Sequence, residues 1–182
     1  MRLKITSLSL LLAVIIGCAA GVAAQKMPKP RSLKIPTSRC QPNGLTQDEI
    51  REILTAHNMV RAELKIEPLV WDCALELTAQ KWAKRGVTHH DDDISFGESI
   101  FVASSPTQPI GSVVVRWMTE RPNWENRVGK CAPGKVCNHY TQIVWRATRR
   151  LGCGINRDAT GKWKLFLVCH YDPAGNSGGP AY

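Results

Sequence analysis

Beyond its N-terminal leader the sequence lacks any apolar run of about 18 residues, which excludes a later membrane-spanning helix. It has no internal repeat and is neither low-complexity nor fibrous in composition, which excludes a solenoid and a fibre. No close Cys-x2-Cys pair occurs, the tightest spacing being Cys131 to Cys137, and this argues against a zinc-thiolate site. Acids are scarce against bases, 15 to 24, giving a net charge of +9. The cations are scattered from Arg2 to Lys164 with acids between them, and no aromatic-basic motif interleaves them. A nucleic-acid partner is therefore not expected.

What is present starts with a leader. Arg2 and Lys4 precede a run from Ile5 to Ile16, and small residues follow to Val22-Ala23-Ala24, the three-part layout of a secretory signal. Residues 1–24 are read as a signal peptide and the product as secreted. Ile15-Ile16-Gly17-Cys18 also has the form of a lipoprotein cleavage box, so the alternative is a protein lipid-anchored through Cys18. Residues 25–44 form a basic, Pro-containing arm with Lys26, Lys29, Arg31, Lys34 and Arg39 among Pro28, Pro30 and Pro36. The folded domain is assigned to residues 45–182. With Cys18 removed, Cys40, Cys73, Cys131, Cys137, Cys153 and Cys169 can form disulfides in an oxidising compartment.

Within that domain Thr46-x-x-Glu49 has capping-box spacing. Ile50, Ile53, Leu54, His57, Val60 and Leu64 follow on one helical stripe. Asp72 caps a second helix carrying Leu75, Ala79 and Trp82, with Gly86 as its stop. Pro109 opens a third, in which Ile110, Val113, Val114, Trp117 and Met118 keep helical period although consecutive valines favour strand. Leu151 to Asn156 and Lys162 to Tyr171, separated by a turn containing Gly161, read as a hairpin. Cys153 and Cys169 fall on its two arms and are expected to pair. Cys131 with Cys137 and Cys40 with Cys73 are favoured for the rest, although spacing leaves other pairings open.

Four polar residues sit in apolar surroundings: His57, Glu98, Glu120 and His139. Burying carboxylates is costly unless they are paired, so their convergence with two imidazoles on one wet cleft is the cheapest arrangement. At these residues the sequence resembles the CAP superfamily of cysteine-rich secretory, insect venom antigen and plant pathogenesis-related class-one proteins. The resemblance is carried by Ala56-His57-Asn58-x-x-Arg61, Leu69-x-Trp71-Asp72, Ala79-Gln80-x-Trp82-Ala83, Gly97-Glu98-Ser99 and Trp117-x-x-Glu120. It continues through the run His139 to Trp145 and Cys169-His170-Tyr171-Asp172-Pro173-x-Gly175-Asn176, thus covering Thr46 to Asn176. Asn138, Ser99 and Ser177 depart from the usual pattern.

The resemblance implies an α+β fold, an α-β-α sandwich with a central antiparallel sheet between helical layers. It also implies a cleft in which His57 and His139 bind a divalent metal, zinc first, with Glu98 and Glu120 beside them. A sterol or other lipid and a protein at the cell surface are the implied partners. The favoured function is a non-enzymatic ligand-binding or defence module, and the alternative is a metal-assisted, protease-like hydrolase with Glu98 or Glu120 as base. Ile110, Val113 and Val114 could line a lipid slot, but their spacing favours core packing. Two further features are read as decoys. Gly175-Asn176-Ser177-Gly178-Gly179-Pro180 resembles a serine-protease nucleophile loop but lies too near the end of the chain. His89-His90-Asp91-Asp92-Asp93 holds consecutive ligand types and is read as a solvated loop.

Overall fold

A computed structural model of the chain describes Cys40, residues 44–93 and residues 95–182. The expected signal peptide, Cys18 and nearly all of the basic arm lie outside the described residues.

Helix α1, Gln47–Glu63, begins where the capping box places it. Thr46 Oγ1 accepts from Glu49 N at 3.2 Å, and Thr46 N donates back to Glu49 Oε2 at 2.9 Å. Its stripe of Ile50, Ile53, Leu54, His57 and Val60 is buried. The chain then forms the two-residue strand β1, Val70–Trp71, and enters α2, Cys73–Arg85. Asp72 caps α2 through Ala74 N and Leu75 N, and Gly86 ends it in the left-handed conformation at φ 65°. Strand β2, Gly97–Ala103, precedes α3, Gly111–Met118, which starts two residues beyond the predicted Pro109. The valines of α3 do follow helical period, and Val113 and Val114 are buried.

A single 3-10 turn, Arg121–Asn123, leads to a small hairpin of β3, Trp124–Glu125, and β4, Lys130–Cys131. Helix α4, Asn138–Ile143, follows. The long hairpin closes the domain as β5, Arg150–Asn156, and β6, Leu165–Asp172; its second arm begins at Leu165 rather than Lys162.

The central sheet has the order β1-β5-β6-β2. The pairs β5–β6 and β6–β2 are antiparallel, as expected, but β1 joins β5 in parallel. The sheet is therefore mixed. Direction at this edge is set by the helix that follows: Asp72 must begin α2, and Asp72 N reaches Leu151 O at 2.8 Å as it does so.

Period-two alternation divides the sheet between two helical layers. Leu151, Cys153, Ile155, Leu165, Leu167, Cys169 and Tyr171 face the larger core, shared with α1, α3 and α4. Val168 faces the smaller core under α2 with Ala79, Trp82 and Ala83. Glycine permits this second contact, because a Cβ on Gly152 or Gly154 would overlap the α2 backbone at Glu76 or Gln80. Disulfides join Cys40 to Cys73, Cys131 to Cys137 and Cys153 to Cys169, all three as favoured from the sequence.

Candidate functional site

His57 does not reach a cleft. It lies midway along α1 with no exposed surface. Its Nδ1 donates to Ile53 O at 2.8 Å, and its Nε2 accepts from the Tyr171 hydroxyl at 3.0 Å. Burial lowers its pKa to about 4, outweighing the Ile53 hydrogen bond, so the ring is neutral. Burial also raises the Tyr171 pKa, so that phenol keeps the proton it donates. With one nitrogen protonated and the other engaged, His57 has no lone pair for a cation. The expectation that it is a metal ligand is corrected accordingly: the apolar stripe that places it in the core also removes it from solvent.

Glu120 and His139 do come together. Glu120 follows the C-cap of α3, and its Oε1 accepts from His139 Nδ1 at 2.6 Å. Its Oε2 accepts from the backbone N of His139 at 3.0 Å and of Tyr140 at 3.2 Å, which fixes it at the start of α4. Trp117 stacks on the His139 ring, with centroids 5.5 Å apart and planes at 3°. Burial pushes the Glu120 pKa up, but the hydrogen bonds from His139 and the two amides more than offset this and hold it below the ordinary carboxylate value.

Glu98 is paired with a histidine that sequence reasoning set aside. Its Oε1 accepts from His90 Nδ1 at 2.6 Å and from Asp91 N at 3.3 Å. Its Oε2 accepts from His170 Nε2 at 3.1 Å. Burial again pushes this carboxyl up, and the bonds from His170 and His90 bring it below its usual range. His89, Asp92 and Asp93 are exposed as a solvated loop should be, but His90 is held by Glu98. The usable signal was proximity in the chain: the short stretch between Gly86 and Gly97 must lead from the end of α2 into the strand that carries Glu98.

The α4 helix that carries His139 packs against the start of the strand that carries Glu98. Gly97, next to Glu98, has no room for a Cβ because the Gln142 side chain of α4 occupies that space, one turn beyond His139. In each imidazole–carboxylate pair the carboxylate accepts from Nδ1, so Nε2 is the nitrogen that carries the lone pair of the neutral ring, and it meets no hydrogen-bonding partner among the described residues. The two side chains are 65% and 30% exposed for His90 and His139. A carboxylate behind Nδ1 with a free Nε2 in front is the arrangement by which proteins orient metal-binding imidazoles. His57 and His170 do not share it, since both of their ring nitrogens are engaged.

Other candidates are resolved by their contacts. Cys40, Cys73 and Glu76 bring three ligand-type atoms within 4.8 Å of one another. The two sulfurs are bonded to each other, and Glu76 accepts from Trp71 Nε1 at 2.5 Å, so the group is structural. Ser177 is exposed and has no histidine partner among the described residues, which removes the nucleophile reading. Ile110, Val113 and Val114 are packed in the core and are not available to line a lipid slot. Ser99, which departs from the usual pattern, is buried beside Tyr171.

Comparison with known families gives a match to the model described as "Cysteine-rich secretory protein family" over residues 54–171. The chain belongs to this CAP family. Among plant CAP relatives, the PR-1 type pathogenesis-related protein of Sambucus nigra is 33% identical over 140 residues, covering 75% of this chain and 83% of its own length. Pathogenesis-related protein 1A1 of Solanum lycopersicum is 39% identical over 128 residues, covering 68% of this chain and 70% of its own. The crystal structure of NaASP2 with Zn2+ superposes with a TM-score of 0.68 at 26% identity, over 79% of this chain and 90% of that one. The Schistosoma mansoni venom allergen-like protein 4 gives 0.61 at 25% identity, over 72% and 92%. These CAP neighbours carry the same α-β-α sandwich. No described helix of this CAP chain is long and apolar enough to cross a membrane.

Proposed function

We propose that this CAP domain acts outside the cell as a non-enzymatic module of the pathogenesis-related type, holding a divalent cation, zinc in the first instance, between His90 and His139. The observation that carries this reading is the matched pair of imidazoles, each held by a carboxylate at 2.6 Å through Nδ1 with Nε2 meeting no partner among the described residues. Imidazole nitrogen suits zinc, and two protein ligands leave positions for water or a partner's donor. A relative solved with Zn2+ supports the choice of ion. Three disulfides and pathogenesis-related relatives support an extracellular setting.

The carboxylates argue against the hydrolase alternative. A general base needs an open oxygen and a pKa near the working pH. Glu98 and Glu120 each accept three hydrogen bonds, spread over both oxygens, and both are held below the ordinary carboxylate range. They are built to orient histidines, not to abstract protons.

Calorimetric titration of zinc into the metal-stripped protein tests the reading. Saturable binding that disappears in both His90→Ala and His139→Ala and persists in His57→Gln is the expected result. Binding that survives both alanine variants overturns it, as does the absence of binding in the unaltered protein.

A further inference from the structure

The two halves of the proposed cation site are not supported alike. His139 is fixed several times over: Trp117 stacks on its ring, Glu120 holds its Nδ1, and its backbone N is anchored on the same carboxylate. His90 lies in a loop with its side chain 65% exposed, and the hydrogen bond that sets its ring is the one to Glu98. Whatever fixes Glu98 therefore fixes His90.

Beneath Glu98 lies a third imidazole. His170 of β6 is fully buried, directly across the β2–β6 ladder from Glu98. Its Nε2 meets Glu98 Oε2 at 3.1 Å, and its Nδ1 meets Thr78 Oγ1 at 2.9 Å. With Nε2 donating to Glu98, the neutral ring accepts from the Thr78 hydroxyl, whose single proton it shares with Leu75 O, also at 2.9 Å. Phe96 covers the His170 ring with centroids 6.0 Å apart. A chain of side chains thus runs from Thr78 of α2 through His170 and Glu98 to His90. Among the described residues no counterpart stands behind Glu120, whose second oxygen is taken by backbone amides.

We propose that His170 is a positioning residue for the His90 half of the cation site, locking the Glu98 carboxylate in the orientation that aims His90. The proposal rests on the cation reading given above. It is specific to one half: loss of His170 loosens His90 and leaves His139 untouched. Outer partners of this kind change metal affinity by roughly 10- to 100-fold.

The test compares His170→Ala, His170→Asn and His170→Gln with the unaltered protein. A glutamine Nε2 can take the place of the histidine Nε2 that meets Glu98, whereas the shorter asparagine mimics only the Nδ1 side facing Thr78. Zinc affinity is read by calorimetry, and the His90 Nδ1 proton of the metal-free protein by long-range proton–nitrogen NMR, with circular dichroism confirming the fold. The expected result is a loss of about tenfold or more in affinity for the alanine and asparagine variants, with the His90 resonance broadened or shifted. The glutamine variant restores both readouts. In a His90→Ala background, where residual zinc binding is weak, adding His170→Ala changes nothing further. A folded His170→Ala protein whose zinc affinity and His90 resonance match the unaltered protein overturns the proposal. An equal loss in all three variants also overturns it, since that marks a purely structural residue. If the unaltered protein binds no zinc, or His90→Ala leaves its affinity unchanged, the cation reading has failed, and this proposal fails with it.

Discussion

Acid should loosen this fold through His57 before it reaches the carboxylates. The folded protein holds His57 at a pKa of about 4 against an ordinary 6.5, because complete burial outweighs the hydrogen bond to Ile53 O, and the Arg61 charge lowers it further. The unfolded chain takes up a proton there near pH 6.5 that the folded chain refuses. Stability is therefore complete above pH 6.5 and drains as pH falls towards 4. At about 1.4 kcal/mol for each pH unit, the window is worth roughly 3 kcal/mol, a large share of the stability of an ordinary domain. Urea unfolding with the disulfides intact, followed by tryptophan fluorescence at half-unit pH steps, measures it. The same series on His57→Gln supplies the difference that cancels the other titrating groups. The reasoning predicts a slope near one proton in the unaltered protein that is absent from the variant. A slope of equal size in both proteins would refute it.

Arg61 lies buried with its guanidinium donating to the carbonyls of Glu67, Ile143, Trp145 and Thr148, and burial with the nearby Arg149 and Arg146 lowers its pKa to about 10. Arg61→Lys cannot reproduce this planar fork and should cost about 3 kcal/mol. That corresponds to a fall in Tm of roughly 10 °C by calorimetry, and a melting point within about 2 °C of the unaltered protein would contradict the assignment. Gly152→Ala places a Cβ into the α2 backbone and should destabilise by more than about 3 kcal/mol in urea titrations. Gly161→Ala, with nothing within 4 Å, should cost only about 1 kcal/mol despite its φ of +91°, and comparable losses at both glycines would disprove close packing of α2. Replacing Cys153 and Cys169, 16 residues apart, by alanine should cost about 3 kcal/mol, against about 2 for Cys131 and Cys137, 6 apart. The reverse order in denaturant midpoints would contradict the loop-length reasoning.

Local chemistry made much of the fold legible. The capping box at Thr46, the Asp72 cap and the Gly86 stop each act within a few residues, so helix ends could be read directly. Period carried α3 against the strand preference of its valines, and the two arms of the long hairpin brought Cys153 opposite Cys169. The parallel edge at β1 was not legible, because two residues carry no period and their direction depends on where α2 must begin. At the site, Glu98, Glu120 and His139 stood out as polar residues in apolar sequence, and the structure gives each carboxylate an imidazole partner. The same rule misled at His57, where a polar residue on an apolar stripe proved to be a satisfied core histidine. His90 was hidden for the opposite reason: it sits in a polar run, and only its 2.6 Å contact with Glu98 separates it from its solvated neighbours.

The most direct test of the central claim is a crystal structure of the zinc-soaked protein with anomalous scattering recorded across the zinc edge. The account predicts one strong peak about 2.0–2.1 Å from both His90 Nε2 and His139 Nε2, with Glu98 and Glu120 still accepting from the two Nδ1 atoms. A peak bound elsewhere, or at only one of these histidines, would contradict it.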